Sequence, residues 1–357
     1  MSFDRTSSTQ SSSRGYGAVA RSTSGTFDER VRATGLLVGI SEHQCPLVFH
    51  EIYDVKMFGI EKCHPFDAGK WGRVYAKLKE WELVSDDSIV RPVEATRNDL
   101  LIAHTKLYLA SLYSPCVLAK VVEVPIACFI PTCITDKYFL RRMRYQCGGT
   151  VAACQIALER GWSVHLGGGF HHAHRTFGGG FCVYADISLA LKILFTLKLI
   201  EKALIVDVDA HQGNGHERDF GDDPRVFILD LYNPRIYPWD HKASEGISRS
   251  VHVGSMTSDA EYLRLLKSNL SAALTEFSAD LVILNAGTDS LENDPLGCLN
   301  LSPKCIVHRD EAVFQLCRQK SIPIVMLTSG GYLMKSAEVI AKSIRNLHEK
   351  GLIELKT

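Results

Sequence analysis

The sequence predicts a single α/β domain of three layers, α/β/α, with a central and mostly parallel sheet, and three observations lead to this prediction. Short apolar runs alternate with segments of helical periodicity from about residue 163 to the end of the chain. Each unusual polar cluster follows directly after one of these apolar runs, which is where parallel sheets collect their ligands. Apolar residues make up 46% of the 357 residues and charged residues 22%, which is typical of a globular protein with a large core.

The N-terminal half begins with a polar tail and continues with helices. Residues 1–26 are rich in Ser, Thr, Gly and Arg, so we expect a disordered tail before a domain that spans residues 27–357. The run LLVGI at Leu36–Ile40 predicts the first strand. Helices are predicted at Trp71–Trp81, at Asn98–Tyr113 with Asn98 as its cap, and at Tyr138–Arg160, where Gly148 and Gly149 interrupt the helix.

The second half alternates regularly between the two kinds of element. Strands are predicted at Ser163–Leu166, Ala203–Val208, Val226–Leu229, Leu281–Asn285 and Ile324–Leu327. Helices are predicted at Ile187–Leu199, Ala260–Phe277, Pro303–Arg318 and Lys335–Leu347. Strands that alternate with helices of this length predict a parallel sheet with helices on both faces.

Composition and charge argue against several classes of partner. The formal net charge is zero, so no electrostatic argument favours a nucleic acid or an anionic membrane as a direct partner. No apolar run approaches the ~18 residues that a membrane span needs. The eleven cysteines are scattered without a CxxC pair, which predicts reduced thiols in an intracellular compartment. The basic, Ser-rich tail also resembles an organellar transit peptide, but an ordinary tail is the favoured interpretation.

The stretch ALIVDVDAHQGNG predicts a metal site. Asp207, Asp209 and His211 follow one another at every second position as the strand ends, so an extended chain points all three side chains the same way. Neighbouring carboxylates repel unless a cation lies between them, and imidazole is a preferred ligand of zinc. Asp289, just after the strand Leu281–Asn285, is placed to complete a site with open positions for water and substrate, as a catalytic metal needs. The alternative is a turn that merely caps the next helix.

Two further clusters follow neighbouring strands. His171 and His172 stand between the glycine runs 167–169 and 178–180, which favours acid–base work or metal ligation over core filling. Tyr332 follows Gly330 and Gly331 after the strand Ile324–Leu327. Its phenol is well suited to donate a hydrogen bond to a developing oxyanion, and a packing role is the alternative.

The segments GGGFHH, GGGFC, DVDAHQGNG, AGTDSLENDPLG and SGGY, in this order, resemble the zinc-dependent histone deacetylase family of the arginase/deacetylase fold. The segments HPFDAGKWG, residues 64–72, and VFILDLYNPRIYP, residues 226–238, resemble the class IV branch of that family. The Ser/Thr-rich start is similar to that of a plant member. The resemblance extends from about Leu36 to the end of the chain.

The resemblance implies a role for each motif residue. It implies one Zn²⁺ per chain, although the same ligands also accept iron. It implies that a metal-activated water attacks the acyl carbonyl, that the paired histidines move protons and that the tyrosine stabilises the oxyanion. The implied metal ligands are Asp209, His211 and Asp289, the implied catalytic groups are His171, His172 and Tyr332, and the implied orienting groups are Asp207 for His171 and Asn214 for His172.

The resemblance also implies two secondary features. The first is a K⁺ ion held by Asp207, Asp209 and His211 with backbone carbonyls near Asp230 and Leu231. The second is a narrow tunnel for an acyl-lysine stem, with Gly180, Phe181 and Tyr237 as wall residues. Core packing is the alternative for Phe181 and Tyr237.

The resemblance implies a lysine deacetylase that acts on histones or other proteins in the nucleus, the cytoplasm or both, with proteins of a repressor complex as possible partners. Three alternatives stay open. One changes the substrate to small acetylated amines or fatty-acyl lysine, and another is a catalytically weak scaffold in a repressor complex. A two-manganese ureohydrolase of the same fold is the least favoured, because His171 and His172 occupy the place where further carboxylate ligands are expected.

Overall fold

The computed structural model describes residues 25–55, 67 and 69–356 of the chain. Within this part, seven strands form one sheet in the order β1-β2-β7-β6-β3-β4-β5, and every neighbouring pair is parallel. The strands are β1 Leu47–Val48, β2 Trp162–His165, β3 Ala203–Asp207, β4 Val226–Tyr232, β5 Arg249–His252, β6 Leu281–Asn285 and β7 Ile324–Leu327. The predicted parallel α/β architecture is confirmed.

Helices connect the strands. They are α1 Phe27–Arg32, α2 Lys70–Glu80, α3 Arg97–Ala103, α4 Lys106–Ser111, α5 Pro115–Val121, α6 Thr132–Thr135, α7 Arg141–Arg160, α8 Asp186–Thr196, α9 Asn214–Phe220, α10 His241–Ser244, α11 Asp259–Glu276, α12 Pro303–Gln319 and α13 Met334–Glu349. Among the residues that the model describes, no helix combines the length and apolar character needed to cross a bilayer.

Two apolar layers enclose the sheet. Successive strand residues point to opposite faces, so Ile205 joins the apolar cluster under α7 and α8 while Val206 joins the cluster under α2 and α11 to α13. Every residue of β3 is buried, as a central parallel strand requires. The sheet therefore offers only its edges and strand ends to solvent, and the carboxyl ends carry the polar clusters.

The predicted strand at Leu36–Ile40 is wrong. This segment is irregular, and the first strand is the two-residue β1 at Leu47–Val48, which pairs with β2. Leu36 is buried because it packs against Gly148 of α7, so its apolar character reflects contact with a helix rather than a place in the sheet.

Two helix predictions need correction. The helix predicted at Asn98–Tyr113 is divided into α3 and α4, because His104 adopts an extended conformation and the Thr105 side chain caps α4. Thr96, not Asn98, caps α3. In α7, Gly148 and Gly149 leave the helix continuous, and the helical segment extends further towards the N-terminus than Tyr138, because a π-helical turn at Asp136–Leu140 joins α6 to α7.

The prediction that the cysteines are reduced thiols is wrong for one pair. Cys116 and Cys128 form a disulfide that closes a loop of 12 residues between α5 and a 3₁₀ turn. Proximity in the folded chain, which the spacing did not suggest, explains the pairing. Most of the predicted tail, residues 1–24, and residues 64–66 and 68 of the segment that resembles class IV lie outside the described residues.

Candidate metal centre and active site

The candidate site lies at the carboxyl ends of four neighbouring strands. The sheet order places β2, β7, β6 and β3 side by side, and the loop after each of them carries one of the polar clusters. Asp207, the last residue of β3, is in register with Asn285, the last residue of β6. Motifs that are up to about 160 residues apart in sequence therefore meet at one edge, because parallel strands direct their following loops to the same side.

Asp209, His211 and Asp289 form a buried cluster suited to one metal ion. One ligand atom from each residue lies within 4.8 Å of the others. His211 Nδ1 is 3.1 Å from Asp209 Oδ1 and 2.7 Å from Asp289 Oδ2. The Asp209 Oδ2 atom is buried without a hydrogen-bond partner. A buried carboxylate oxygen of this kind is suited to bind a cation. The donor set of two carboxylates and one imidazole fits zinc.

Glycines permit the loops to approach this closely. A side chain at Gly287 would collide with the Asp209 carboxylate, and so would a side chain at Gly330. The loops after β6 and β7 therefore pack their backbones directly against the metal cluster.

The two histidines lie beside this cluster, with their ring centroids 4.0 Å apart. His171 Nδ1 is 2.9 Å from Asp207 Oδ2, and His172 Nδ1 is 2.8 Å from Asn214 Oδ1. The Asn214 amide nitrogen donates to Asp240 Oδ2 at 3.1 Å. Because the Asp240 carboxylate only accepts, the amide oxygen must face His172, so His172 donates from Nδ1 and keeps a free electron pair on Nε2.

A narrow cavity leads to the histidines and Tyr332. Its wall includes Gly180, Phe181 and Tyr332 together with both histidines and Asp209. Tyr237 stands edge-on to His172, with the ring centroids 4.9 Å apart, and a side chain at Gly180 would collide with the His172 ring. Trp71, Phe139 and Met143 line the same cavity. The wall is thus largely apolar, as a channel for an alkyl stem requires.

Comparison with known proteins identifies the family. The model of the family described as "Histone deacetylase domain" matches residues 64–347. The chain belongs to the histone deacetylase family. Its members are lysine deacetylases, which are amide hydrolases.

The alignments with similar proteins cover most of this chain and most of each relative. This chain is 47% identical over 328 residues to "Histone deacetylase 2" of Arabidopsis thaliana, which spans 92% of this chain and 85% of that protein. It is 28% identical over 287 residues to "Histone deacetylase clr6" of Schizosaccharomyces pombe, with coverage of 76% and 69%. The crystal structure of the HDA15 HD domain superposes with a TM-score of 0.69 over 87% of this chain and 89% of that chain, at 21% identity, which shows the shared fold.

Burial and neighbouring charges shift the pKa values of the three residues in the candidate metal cluster. Burial would raise the pKa of Asp209, but the His171 charge and the His211 hydrogen bond outweigh burial and hold the pKa well below its usual range. Burial, reinforced by the Asp209 charge, raises the pKa of Asp289. Burial would lower the pKa of His211, yet its hydrogen bonds to the two carboxylates raise the pKa well above the usual value. A proton on His211 therefore balances the carboxylates, and a metal ion at this candidate site would have to displace it.

The pKa values of the paired histidines are shifted in opposite directions. For His171, burial lowers the pKa, but the carboxylates of Asp207 and Asp209 outweigh burial and raise it to about 9. For His172, burial lowers the pKa well below its usual value, and the positive charges of His171 and His211 lower it further. One histidine thus holds a proton at neutral pH while the other is free to accept one.

The phenol of Tyr332 stays protonated. Burial raises its pKa well above the usual value, and the charges of Asp289 and Asp209 act in the same direction. The backbone N–H of Tyr332 donates to Asp294 Oδ2 at 2.9 Å, which anchors the loop after β7. A protonated phenol at this edge of the sheet can act as a hydrogen-bond donor.

The residues predicted to hold potassium lie on adjacent strands. Asp230 of β4 is in register with Asp207 of β3. The Asp207 carboxylate already accepts four protein donors, from Asp209 N, Asn285 Nδ2, His171 Nδ1 and His216 Nε2. Gly213 N donates to Asp230 Oδ2 at 2.9 Å, while Asp230 Oδ1 is buried without a hydrogen-bond partner. The potassium site and the part of Leu231 in it stay a prediction.

Three buried residues that contact the site were missed by the sequence analysis. His216 of α9 binds Asp207 Oδ2 at 2.8 Å, on the oxygen that also binds His171. Lys70 of α2 donates from Nζ to the carbonyls of Ser329 and Gly330, just before Tyr332. Arg309 of α12 donates to backbone carbonyls near the metal cluster. Helical spacing offered a signal for the last two, because Lys70 is four residues before Val74 on the buried face of α2, and Arg309 is four residues after Cys305 on that of α12.

Proposed function

We propose that this chain is a zinc-dependent lysine deacetylase or deacylase that hydrolyses the amide of an acylated lysine side chain. The observation that carries the proposal is the meeting of three ligand atoms within 4.8 Å, next to two histidines whose pKa values are shifted in opposite directions. Two acid–base groups with separated pKa values beside a metal cluster are the equipment of metal-assisted amide hydrolysis. A scaffold that only docks other proteins has no physical need of this arrangement.

Asp209, His211 and Asp289 would hold the zinc ion. When bound, zinc supplies Lewis acidity that polarises the acyl carbonyl and makes water acidic enough to lose a proton at neutral pH. The ion pair of His171 with Asp207 lies next to these ligands, since His171 Nε2 is 3.7 Å from Asp209 Oδ1.

The chain's own residues divide the proton transfers. His172 is neutral at neutral pH, and its Nε2 accepts the proton of the attacking water, because the contact with Asn214 occupies Nδ1. His171 retains its proton and is suited to protonate the leaving lysine amine. The Tyr332 hydroxyl donates a hydrogen bond to the oxyanion that develops on the carbonyl oxygen.

We propose that the substrate enters as an acyl-lysine stem along Gly180, Phe181 and Tyr237. The apolar wall accepts the methylene chain, and histones or other acylated proteins are the substrate class that such a narrow channel fits. Fatty-acyl lysine is the second candidate substrate, because Trp71, Phe139 and Met143 add apolar surface to the same cavity, and small acetylated amines are a further alternative.

The finer assignments are also proposals. Membership of class IV is supported by the sequence of residues 64–72 and 226–238, and a plant origin by the 47% identity to the Arabidopsis relative. We propose K⁺ as a second ion near Asp207, Asp230 and Leu231, a location in the nucleus, the cytoplasm or both, and proteins of a repressor complex as partners.

The test is hydrolysis by the purified, zinc-loaded protein. Acetyl-lysine and myristoyl-lysine peptides of one sequence are compared, with and without a hydroxamate chelator. We expect hydrolysis that the chelator abolishes and that His172→Ala reduces by about a hundredfold or more. His174→Ala is the matched control, because the hydrogen bonds of this nearby histidine join it to Thr176 and Phe177 in its own loop and not to the metal cluster. Folded, metal-loaded protein that hydrolyses neither peptide refutes the enzyme and favours the scaffold.

A further inference from the structure

Arg309 lies behind the metal cluster, on the buried face of α12. Its side chain is fully buried, with 0% exposure. The Nη1 atom donates to the Gly287 carbonyl at 2.6 Å and to the Val208 carbonyl at 3.3 Å, and it lies 3.3 Å from Ser290 Oγ. The two carbonyls belong to different loops, one after β3 and one after β6.

Both carbonyls are next to proposed metal ligands in sequence. Val208 immediately precedes Asp209, and Gly287 is two residues before Asp289. The two loops are also joined by the hydrogen bond from Ala210 N to Asp289 Oδ1 at 2.8 Å. The guanidinium therefore bridges the two backbone segments whose separation determines whether the carboxylates converge on one ion.

The charge of Arg309 is balanced locally. Its Nε donates to Asp310 Oδ1 at 2.9 Å, and Ser343 Oγ donates to the second oxygen of Asp310 at 2.6 Å. A buried ion pair contributes little net stability compared with an apolar replacement of the same volume. A planar guanidinium, however, has several donors in a fixed geometry, which suits it to hold two acceptors at a set distance.

We propose that Arg309 is a positioning residue of the metal centre, which holds the loops after β3 and β6 at the separation that lets Asp209 and Asp289 share one zinc ion. The inference rests on the proposed zinc site. Loss of groups that orient metal ligands typically weakens metal binding by about 10- to 100-fold. We expect a loss of that size when the guanidinium is removed.

The test measures zinc affinity directly. Zinc is removed from the purified full-length chain, and the dissociation constant is measured by competition with a fluorescent chelator for wild type, Arg309→Met and Arg309→Lys. The matched control is Arg318→Met, because Arg318 is on the same helix and also donates to a glycine carbonyl, that of Gly161 at 3.2 Å, but far from the site. The melting temperature of each metal-free protein reports its fold.

We expect Arg309→Met to raise the dissociation constant by about 10- to 100-fold. Arg309→Lys should recover part of the affinity, because an ammonium still donates to one carbonyl, and Arg318→Met should bind zinc like wild type. If Arg309→Met does not fold, Arg309→Lys decides. Unchanged affinity in whichever Arg309 variant folds, with wild type binding zinc tightly, overturns the inference alone. Failure of wild type to bind zinc refutes the zinc site itself and the inference with it.

Discussion

Replacement of Asn214 by aspartate tests the proposed role of His172 as the base. The amide oxygen of Asn214 accepts from His172 Nδ1 at 2.8 Å, and the amide nitrogen donates to Asp240 Oδ2 at 3.1 Å. Asn214→Asp keeps an acceptor for His172 but adds a negative charge. The new carboxylate stabilises the protonated form of the imidazole, so the pKa of His172 should rise.

The size of the shift follows from the strength of the hydrogen bond. A neutral hydrogen bond contributes about 1 kcal/mol, and a charged one is roughly twice as strong, so the added stabilisation of the imidazolium is about 1 kcal/mol. This corresponds to a rise of about 0.7 pKa units, at about 1.36 kcal/mol per unit. Repulsion from Asp240, which keeps its ion pair with Arg218, limits the effect, so about 0.7 units is the upper bound.

The assay is the pH dependence of kcat/KM for an acetyl-lysine peptide with zinc-loaded enzyme. As the pH falls through the pKa of the base, the base is protonated and the enzyme loses activity. A higher pKa of His172 should therefore shift the acid limb of the profile to higher pH, while the rate at the plateau changes less. Asp240→Asn is the control, because it removes a negative charge that is one hydrogen bond further from His172. It should move the acid limb slightly to lower pH. An acid limb of Asn214→Asp that stays in place or moves downward, in protein with an unchanged melting temperature, would refute the contact with the catalytic base.

Four further predictions address other parts of the site and fold. Tyr332→Phe should lower kcat by about 10²- to 10³-fold and leave the zinc dissociation constant unchanged, because only a donor to the oxyanion is lost. Zinc binding at pH 7 should release about one to two protons, measured by calorimetry in two buffers, because the pKa of His211 is raised well above its usual value and that of Asp289 to about 7, so both ligands carry protons without metal, and apparent affinity should therefore rise with pH. Lys70→Met should lower kcat, and the loss should not add to that of Tyr332→Phe if Lys70 acts through the loop that bears the phenol. Cys116→Ser should lower the free energy of unfolding by about 2–3 kcal/mol in oxidising buffer, while the same change at the exposed thiol Cys133 should not.

The candidate site was largely predictable because its residues obey a rule of position. Parallel sheets gather ligands at the carboxyl ends of their strands, and the motifs at 171, 209, 289 and 332 all follow strands whose apolar runs are unmistakable. Their mutual distances were not predictable. Only the strand order β2-β7-β6-β3 makes these four loops neighbours, and strand order is set by packing of the whole chain.

The errors in the fold have local causes. Leu36–Ile40 has the composition of a strand but packs on a helix, and periodicity cannot separate those outcomes for a short apolar run. The break between α3 and α4 depends on Thr105 acting as a cap and on His104 Nε2 accepting from Ala185 N at 2.9 Å, a contact between residues 81 positions apart. Strand β5 is at the sheet edge and alternates buried and exposed residues over only four positions, which is too short a pattern to predict.

The balance of buried charge explains why the metal centre should be catalytic rather than structural. Protons on His211 and His171 offset the carboxylates of Asp207 and Asp209 before any metal binds, while burial raises the pKa of Asp289 to about 7 and leaves its carboxyl partly protonated. The loops are held by contacts that do not involve the ion, such as those of Lys70 and Arg309 with backbone carbonyls. A structural zinc site supplies folding energy, and its loss unfolds the domain. The proposed zinc ion would replace protons in a cluster that is already assembled, so removal of zinc should abolish hydrolysis while the protein stays folded.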